Sequence, residues 1–212
     1  MTPLGLRAAT AEALDGVDAP RPTGPAYRPR ASAVLVLLGE DPFHGPYVLV
    51  LQRAATLRNH AGQIAFPGGA ADPEDTDAIA TALREAAEEV GLDPSGVRIL
   101  ATLPPRWVPA SNYLVTPVLA WWATPHEVRP VDDAEVARVD RLTIAELAAP
   151  ANRLRLRHPG GWIGPAFRTR GMLVWGFTAG VLSTLLDLGG WAQPWPTGPI
   201  EELHRSCDPP VL

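Results

Sequence analysis

Apolar and polar positions divide this chain into short strand-like runs around one strongly amphipathic stretch. Residues 32–38 and 47–53 are two apolar, branched runs separated by GEDPFHGP, which reads as a hairpin of buried strands. The period then changes. Ile79, Leu83, Ala86 and Val90, with Ala82 beside them, recur at helical spacing and predict a helix packed on a core. Asp75 or Thr76 can cap its start, and Gly91 is placed to end it. Residues 97–103 and 113–122 read as further strands with the loop PPRWVPASN between them. Residues 132–147 are mixed, with a short strand near 136–142 and a helical turn at 144–147. The uncharged stretch of residues 171–186 is shorter than a membrane span and interrupted by Ser, Thr and Gly. It reads as a buried strand running into a final helix at 178–188. This alternation predicts an α/β fold, a mixed sheet with helices on both sides.

The ends differ from the middle. Residues 1–30 are rich in Ala and Pro, with a short helix expected at 4–14 and a linker, DAPRPTGPAYRPR, behind it. Residues 190–212 read as a mobile Pro-rich tail, which leaves 31–189 as one domain. Of the 212 residues, 46% are hydrophobic and 19% charged, as in a globular protein able to bury a sizeable core. A net charge of −5 argues against general affinity for nucleic acid or anionic membranes and leaves a small molecule as the expected partner. Cys207 is the single cysteine, so there is no intrachain disulfide framework, which suits a reducing compartment. The first residues include Arg7, Glu12, Asp15 and Asp18 and no apolar core of a signal peptide, so a cytoplasmic address is expected.

The chemistry lies in GGAADPEDTDAIATALREAAEEVGL, residues 68–92. On a helix, residues three and four apart are neighbours, so Glu85, Glu88 and Glu89 project toward one side. A charged run is ordinarily a solvated face, and Arg84 with Glu88 could be a plain exposed pair. The alternative is a divalent cation, since hard cations such as magnesium are held by a few carboxylates together with phosphate oxygens of a substrate.

The order of residues favours the alternative. Arg84, Glu85, Ala86, Ala87, Glu88, Glu89, Val90, Gly91 and Leu92 resemble, without a gap, the second half of the Nudix box, the signature of the Nudix hydrolases. The first half departs from the generic pattern: from Gly69 to Arg84 the chain is one residue too long, with Asp75 or Thr76 where a Glu is expected. Upstream, RAATLRNHAGQIAFPGG (residues 53–69) resembles the extra motif of the coenzyme A pyrophosphatase branch, through Arg53, Ala54, Arg58, Gly62, Phe66, Pro67, Gly68 and Gly69. That branch also carries the longer box with an Asp, in agreement with Asp72 and Asp75. Leu49-Val50-Leu51 stands where the branch has Leu-Leu-Thr, which removes one hydroxyl. SNYLVTPVL (111–119) and WGFTAGVL (175–182) resemble further segments of the branch, so the likeness spans roughly residues 32–188.

The resemblance implies a Nudix-type α/β/α sandwich and hydrolysis of a pyrophosphate with Mg²⁺ or Mn²⁺ as cofactor. The metal would sit on Glu88, Glu89 and the Gly68 carbonyl. Glu85 would be a further ligand, a water-orienting group or the base, and Arg84 would orient the carboxylates. Glu135 could supply a late carboxylate, although Asp132 and Asp133 are equally available. Arg53, Arg58 and His60 would donate to substrate phosphates, since arginine binds phosphate through a planar fork. Gly62, Phe66 and Gly69 complete the implied substrate side, glycine permitting close backbone approach. The implied reaction converts coenzyme A or an acyl-CoA to 3′,5′-ADP and the phosphopantetheine moiety. Another nucleoside diphosphate derivative (a dinucleotide or nucleotide sugar) is the second reading, and a non-catalytic binding module the third.

Overall fold

The computed structural model describes residues 29–57, 60–109, 111–158, 160–195 and 200–203. The helix expected at 4–14, Arg58 and most of the expected tail lie outside them. The first hairpin forms as expected from β1 (Arg30–Asp41) and β2 (Gly45–Arg53), turning at Gly45 with φ 75°. Next come β3 (Ile64–Ala65), β4 (Gly68–Ala70), helix α1 (Ala78–Val90), β5 (Val97–Thr102), β6 (Arg106–Val108) and β7 (Tyr113–Trp122). They are followed by β8 (Val136–Thr143), helix α2 (Ile144–Ala148), β9 (Arg153–Arg157), β10 (Ile163–Thr169), β11 (Met172–Val174), helix α3 (Gly176–Leu188) and β12 (Ile200–Glu202).

Among the described residues, eight strands form one mixed sheet along the path β3-β2-β1-β7-β5, with β4 on β1, β6 on β7 and β8 on β2. β1 and β7 run parallel, Arg30 opposite Tyr113 and Leu38 opposite Trp121. Helices cover both faces, and this explains why β1 reads as a continuous apolar run instead of an alternating one. Ala33, Leu35 and Leu37 pack under α1 with Ala82, Ala86 and Val90. Val36 and Leu38 face the opposite layer, which holds α2 and α3. The result is the expected α/β/α sandwich.

Helix α1 shows how local sequence sets the site. Its cap is Asp77, with extended backbone and a side chain that accepts the Ala80 N–H at 2.8 Å. The expected caps were Asp75 or Thr76. Asp75 is diverted because its carboxylate is bonded by Arg84 and accepts the Asp72 N–H. Gly91 ends the helix as expected, at φ 68°, with its N–H and that of Leu92 bonded back to Ala87 and Ala86.

Several elements depart from the sequence pattern. The stretch PPRWVPASN contains β6, which extends the β5 edge along β7: Arg106 lies opposite Val115, and Thr102 opposite Val118. A second sheet, ordered β11-β10-β9-β12, joins the layer of α3 through Phe167, Met172 and Val174. Its outer strand β12 falls in the segment read as a tail. β12 runs parallel to β9, Glu202 is bonded to Arg157 and Glu201 to Arg168, and the Leu203 N–H donates to the Arg157 carbonyl. Leu203 is 8% exposed beside Leu156 and Ala166. Burial of one leucine in a small cluster predicts that Leu203→Ala destabilises the protein by about 2 kcal/mol. Urea unfolding would show this as a lower midpoint; an unchanged midpoint would mean that β12 contributes nothing.

Candidate active site

Two glycines on β4 fix where α1 lies. A Cβ on Gly68, at φ 155°, would stand 2.3 Å from the Ala33 carbonyl oxygen on β1. A Cβ on Gly69 would stand 2.5 Å from the Glu85 carboxylate on α1. At 68 the backbone contact and the positive φ require glycine, and at 69 glycine leaves the space that the end of the Glu85 side chain occupies. The Ser32 hydroxyl donates to the Gly69 carbonyl at 2.6 Å and fixes the strand from the other side. The Gly68 N–H in turn donates to Glu89 Oε2 at 2.9 Å.

Arg84 gathers the acidic groups. Its Nε and Nη2 grip Asp75 at 3.1 and 2.9 Å, and its Nη1 bonds Glu85 at 3.0 Å and Glu88 at 2.9 Å. Nη2 also donates to the Ala70 carbonyl, just after the two glycines. One guanidinium thus ties the loop before the helix, the end of β4 and two carboxylates of α1. These bonds hold the Asp75 carboxyl well below the usual range and push the Arg84 guanidinium further up. The expected orienting contacts of Arg84 are present, and Asp75 is its principal partner. The departure from the generic box at position 75 was the available signal for this pair.

The carboxylates differ in environment. The Glu88 side chain is 59% exposed, whereas Glu89 is buried at 8%. Burial is the main force on Glu89 and pushes its carboxyl up to about 7, against the Gly68 N–H, with the charges of Glu85 and Glu135 adding to the rise and Arg53 opposing it. Burial also raises Glu85, against its bond from Arg84. Glu135 therefore stands in the field of Glu89. Asp132 instead caps its own turn, its side chain accepting the Ala134 N–H and its carbonyl those of Glu135 and Val136.

The loop between β2 and β3 brings the upstream motif to the same place. The Arg53 N–H donates to the Gln63 carbonyl and the Gly62 N–H to the Arg53 carbonyl, closing the loop, while the Ala54 N–H donates to the Glu135 carbonyl. Arg53 Nε is buried and finds no hydrogen-bond partner among the described residues. His60, at φ 56°, bonds Gln63 through Nδ1, and Gly62, at φ 68°, accepts from the Gln52 side chain. Phe66 lies in the apolar layer beneath α3, 3% exposed, so it supports the loop by packing.

Among the described residues, no three acidic, imidazole or thiol side chains already converge at liganding distance. The donor set nevertheless suits a hard cation. Glu85 and Glu135 both act on Glu89 by charge, and buried Glu89 has a single N–H and the charge of Arg53 to balance it. Glu88 reaches the same helix face from solvent. Such oxygens are those that magnesium or manganese accepts.

Glu89 gives the metal-free protein a characteristic pH dependence. Its folded carboxyl sits above its ordinary value of 4.5, so the fold favours the protonated form. The associated stability is complete below pH 4.5 and is lost as pH rises toward 7, by at most about 3 kcal/mol. Thermal melts of wild type and Glu89→Gln across this range would show the variant with the flatter profile. Parallel profiles would contradict the environment described for Glu89.

Comparison with known proteins identifies the family. A family model described as the NUDIX domain matches residues 27–160. The chain is 39% identical over 170 residues to a protein of Pectobacterium atrosepticum described as "Uncharacterized Nudix hydrolase NudL", covering 76% of this chain and 83% of that one. It is 37% identical over 181 residues to a Klebsiella pneumoniae protein of the same description, covering 80% and 88%. A solved Nudix hydrolase from Nitrosomonas europaea aligns with a TM-score of 0.49 at 14% identity, covering 82% of this chain and 78% of that one. On the strength of the domain match and of these relatives, the chain belongs to the Nudix family.

Proposed function

We propose that this Nudix protein is a cytoplasmic, metal-dependent pyrophosphatase acting on coenzyme A, its activity carried by residues 31–189. The observation that supports this reading is the position of Arg53. It opens the upstream motif, and its charge lowers the Glu89 carboxyl of the box helix, with Nε buried and unbonded among the described residues. Motif and box are thus two sides of one site, where an arginine beside carboxylates can meet a pyrophosphate that brings its own cation.

In this reading, Glu88, Glu89 and the Gly68 carbonyl would hold Mg²⁺ or Mn²⁺, and Glu85 and Glu135, whose charges act on Glu89, would be further candidates as ligands. A divalent ion bound there neutralises pyrophosphate oxygens and lowers the pKa of water. The chain does the rest by positioning. Arg84 fixes the Glu85 and Glu88 carboxylates. Gly69 leaves the space in which Glu85 lies. Arg53, with Arg58 and His60 of the same loop, orients the phosphates, and Glu85 is placed to orient water or take its proton. Water adds to one phosphorus, the bridging P–O bond breaks, and 3′,5′-ADP and 4′-phosphopantetheine leave.

Purified protein with Mn²⁺ or Mg²⁺ is expected to release these two products from coenzyme A and to turn over dephospho-coenzyme A far more slowly. Equal rates would remove the upstream arginines from recognition of the 3′-phosphate. Preference for a dinucleotide or nucleotide sugar in a product-resolved panel would replace coenzyme A as the substrate, and inactivity on every pyrophosphate would indicate a binding module. Glu88→Gln and Glu89→Gln should each lower kcat by more than the roughly 10–100-fold typical of outer-shell losses. Arg84→Lys, which keeps charge but not the fork, should fall within that range.

A further inference from the structure

The upstream motif accounts for one end of the site only. At the other end a cleft of about 560 Å³ lies between the first turn of α1 and the end of β5. Its walls are Ile79, Leu103 and Pro105, with the Thr102 and Thr116 side chains as polar handles. The cleft and the carboxylates share one face of the sheet. Gly69 pairs with Ala33, and Ala33 with Thr116, so two inter-strand steps, roughly 10 Å, separate Thr116 from the glycine against which Glu85 lies. Along α1, the seven residues from Ala78 to Glu85 give the same separation of about 10 Å. The carboxylates therefore lie between two places for substrate, the Arg53 loop beyond Glu89 and this cleft beyond Glu85.

The two places differ in chemistry. Among the described residues that line the cleft none is basic, and its one ionisable group is Asp77, whose carboxylate is engaged as the cap of α1. A phosphate would meet no cation there and one fixed negative charge. An uncharged chain would meet apolar walls for its methyl and methylene groups and two hydroxyls for its amides. The volume is within the range of small-ligand sites. We propose that this cleft binds the neutral pantetheine-type arm of the substrate, so that the substrate crosses the carboxylates with its nucleotide half on the Arg53 side. This assignment rests on the coenzyme A reading given above.

Thr116→Trp fills the cleft from the sheet, and Thr102→Trp narrows its mouth from an exposed position that the fold tolerates. Calorimetric titration of the intact protein with each product separates the two halves. Both variants should weaken 4′-phosphopantetheine by at least about tenfold and leave 3′,5′-ADP within about twofold of wild type. Unchanged phosphopantetheine affinity in the folded variants, or a loss confined to 3′,5′-ADP, would overturn the assignment while wild-type turnover of coenzyme A leaves the function standing. Absence of that turnover would instead overturn the function and the cleft assignment with it. If Thr116→Trp fails to fold, Thr102→Trp decides the matter alone.

Discussion

The constraint on which this molecule depends is the contact between an acidic helix and a strand that has no side chains at the point of contact. α1 carries its glutamates against β4 because Gly68 and Gly69 leave room for a carboxylate and offer an N–H to it. The rest of the fold serves this approach. β1 supplies the surface onto which Gly68 closes, and Ser32 anchors β4 through the Gly69 carbonyl. The apolar stripe of α1, packed on both β1 and β7, holds the helix at that height. A buried carboxylate with few partners costs stability in isolation, so a site of this kind persists because the surrounding packing is extensive.

Arg84 turns this contact into a shared network. By holding Asp75, Glu85, Glu88 and the Ala70 carbonyl, it couples the loop ahead of the helix to the helix face itself. Glu89 receives no bond from it among the described residues, and the charge of the upstream Arg53 acts on Glu89 instead. Two arginines thus divide the acidic cluster, one saturated with bonds and one with a buried nitrogen still unbonded among the described residues.

Much of the site was legible because it is local. Glu85, Glu88 and Glu89 share a helix whose period is plain, and Gly91 announced its end. The first hairpin, β7 and β8 were legible from apolar runs bounded by turn residues. The cap was misplaced because a competing long-range bond claims Asp75, and sequence spacing alone cannot register such a bond. The second sheet was not foreseen for a related reason. β9 is Arg-Leu-Arg-Leu-Arg, whose alternation fits a strand, yet its pairing depends on β10, which contains Gly164 and Pro165, and on β12, which stands beyond a proline-rich stretch. The turn in which the Asp132 side chain accepts the Ala134 N–H and its carbonyl those of Glu135 and Val136 leaves no mark in the spacing of VDDAE.

The parallel pairing of β1 with β7 bears on how the molecule acquires its site. Residues 30–38 must meet residues 113–121 for this pairing to form, and the box helix and β4 lie inside the loop that the pairing closes. Contacts so distant in sequence are slow to form, because chain closure precedes any gain from them. α1 can gain helical structure early, and β4 can pair with β1 across the shorter span from 32 to 70, but the apolar stripe of α1 is fully covered only when β7 also stands beneath it. The final seating of the acidic helix is therefore a late property of the folding chain, acquired with the central sheet and not with the segment that encodes it.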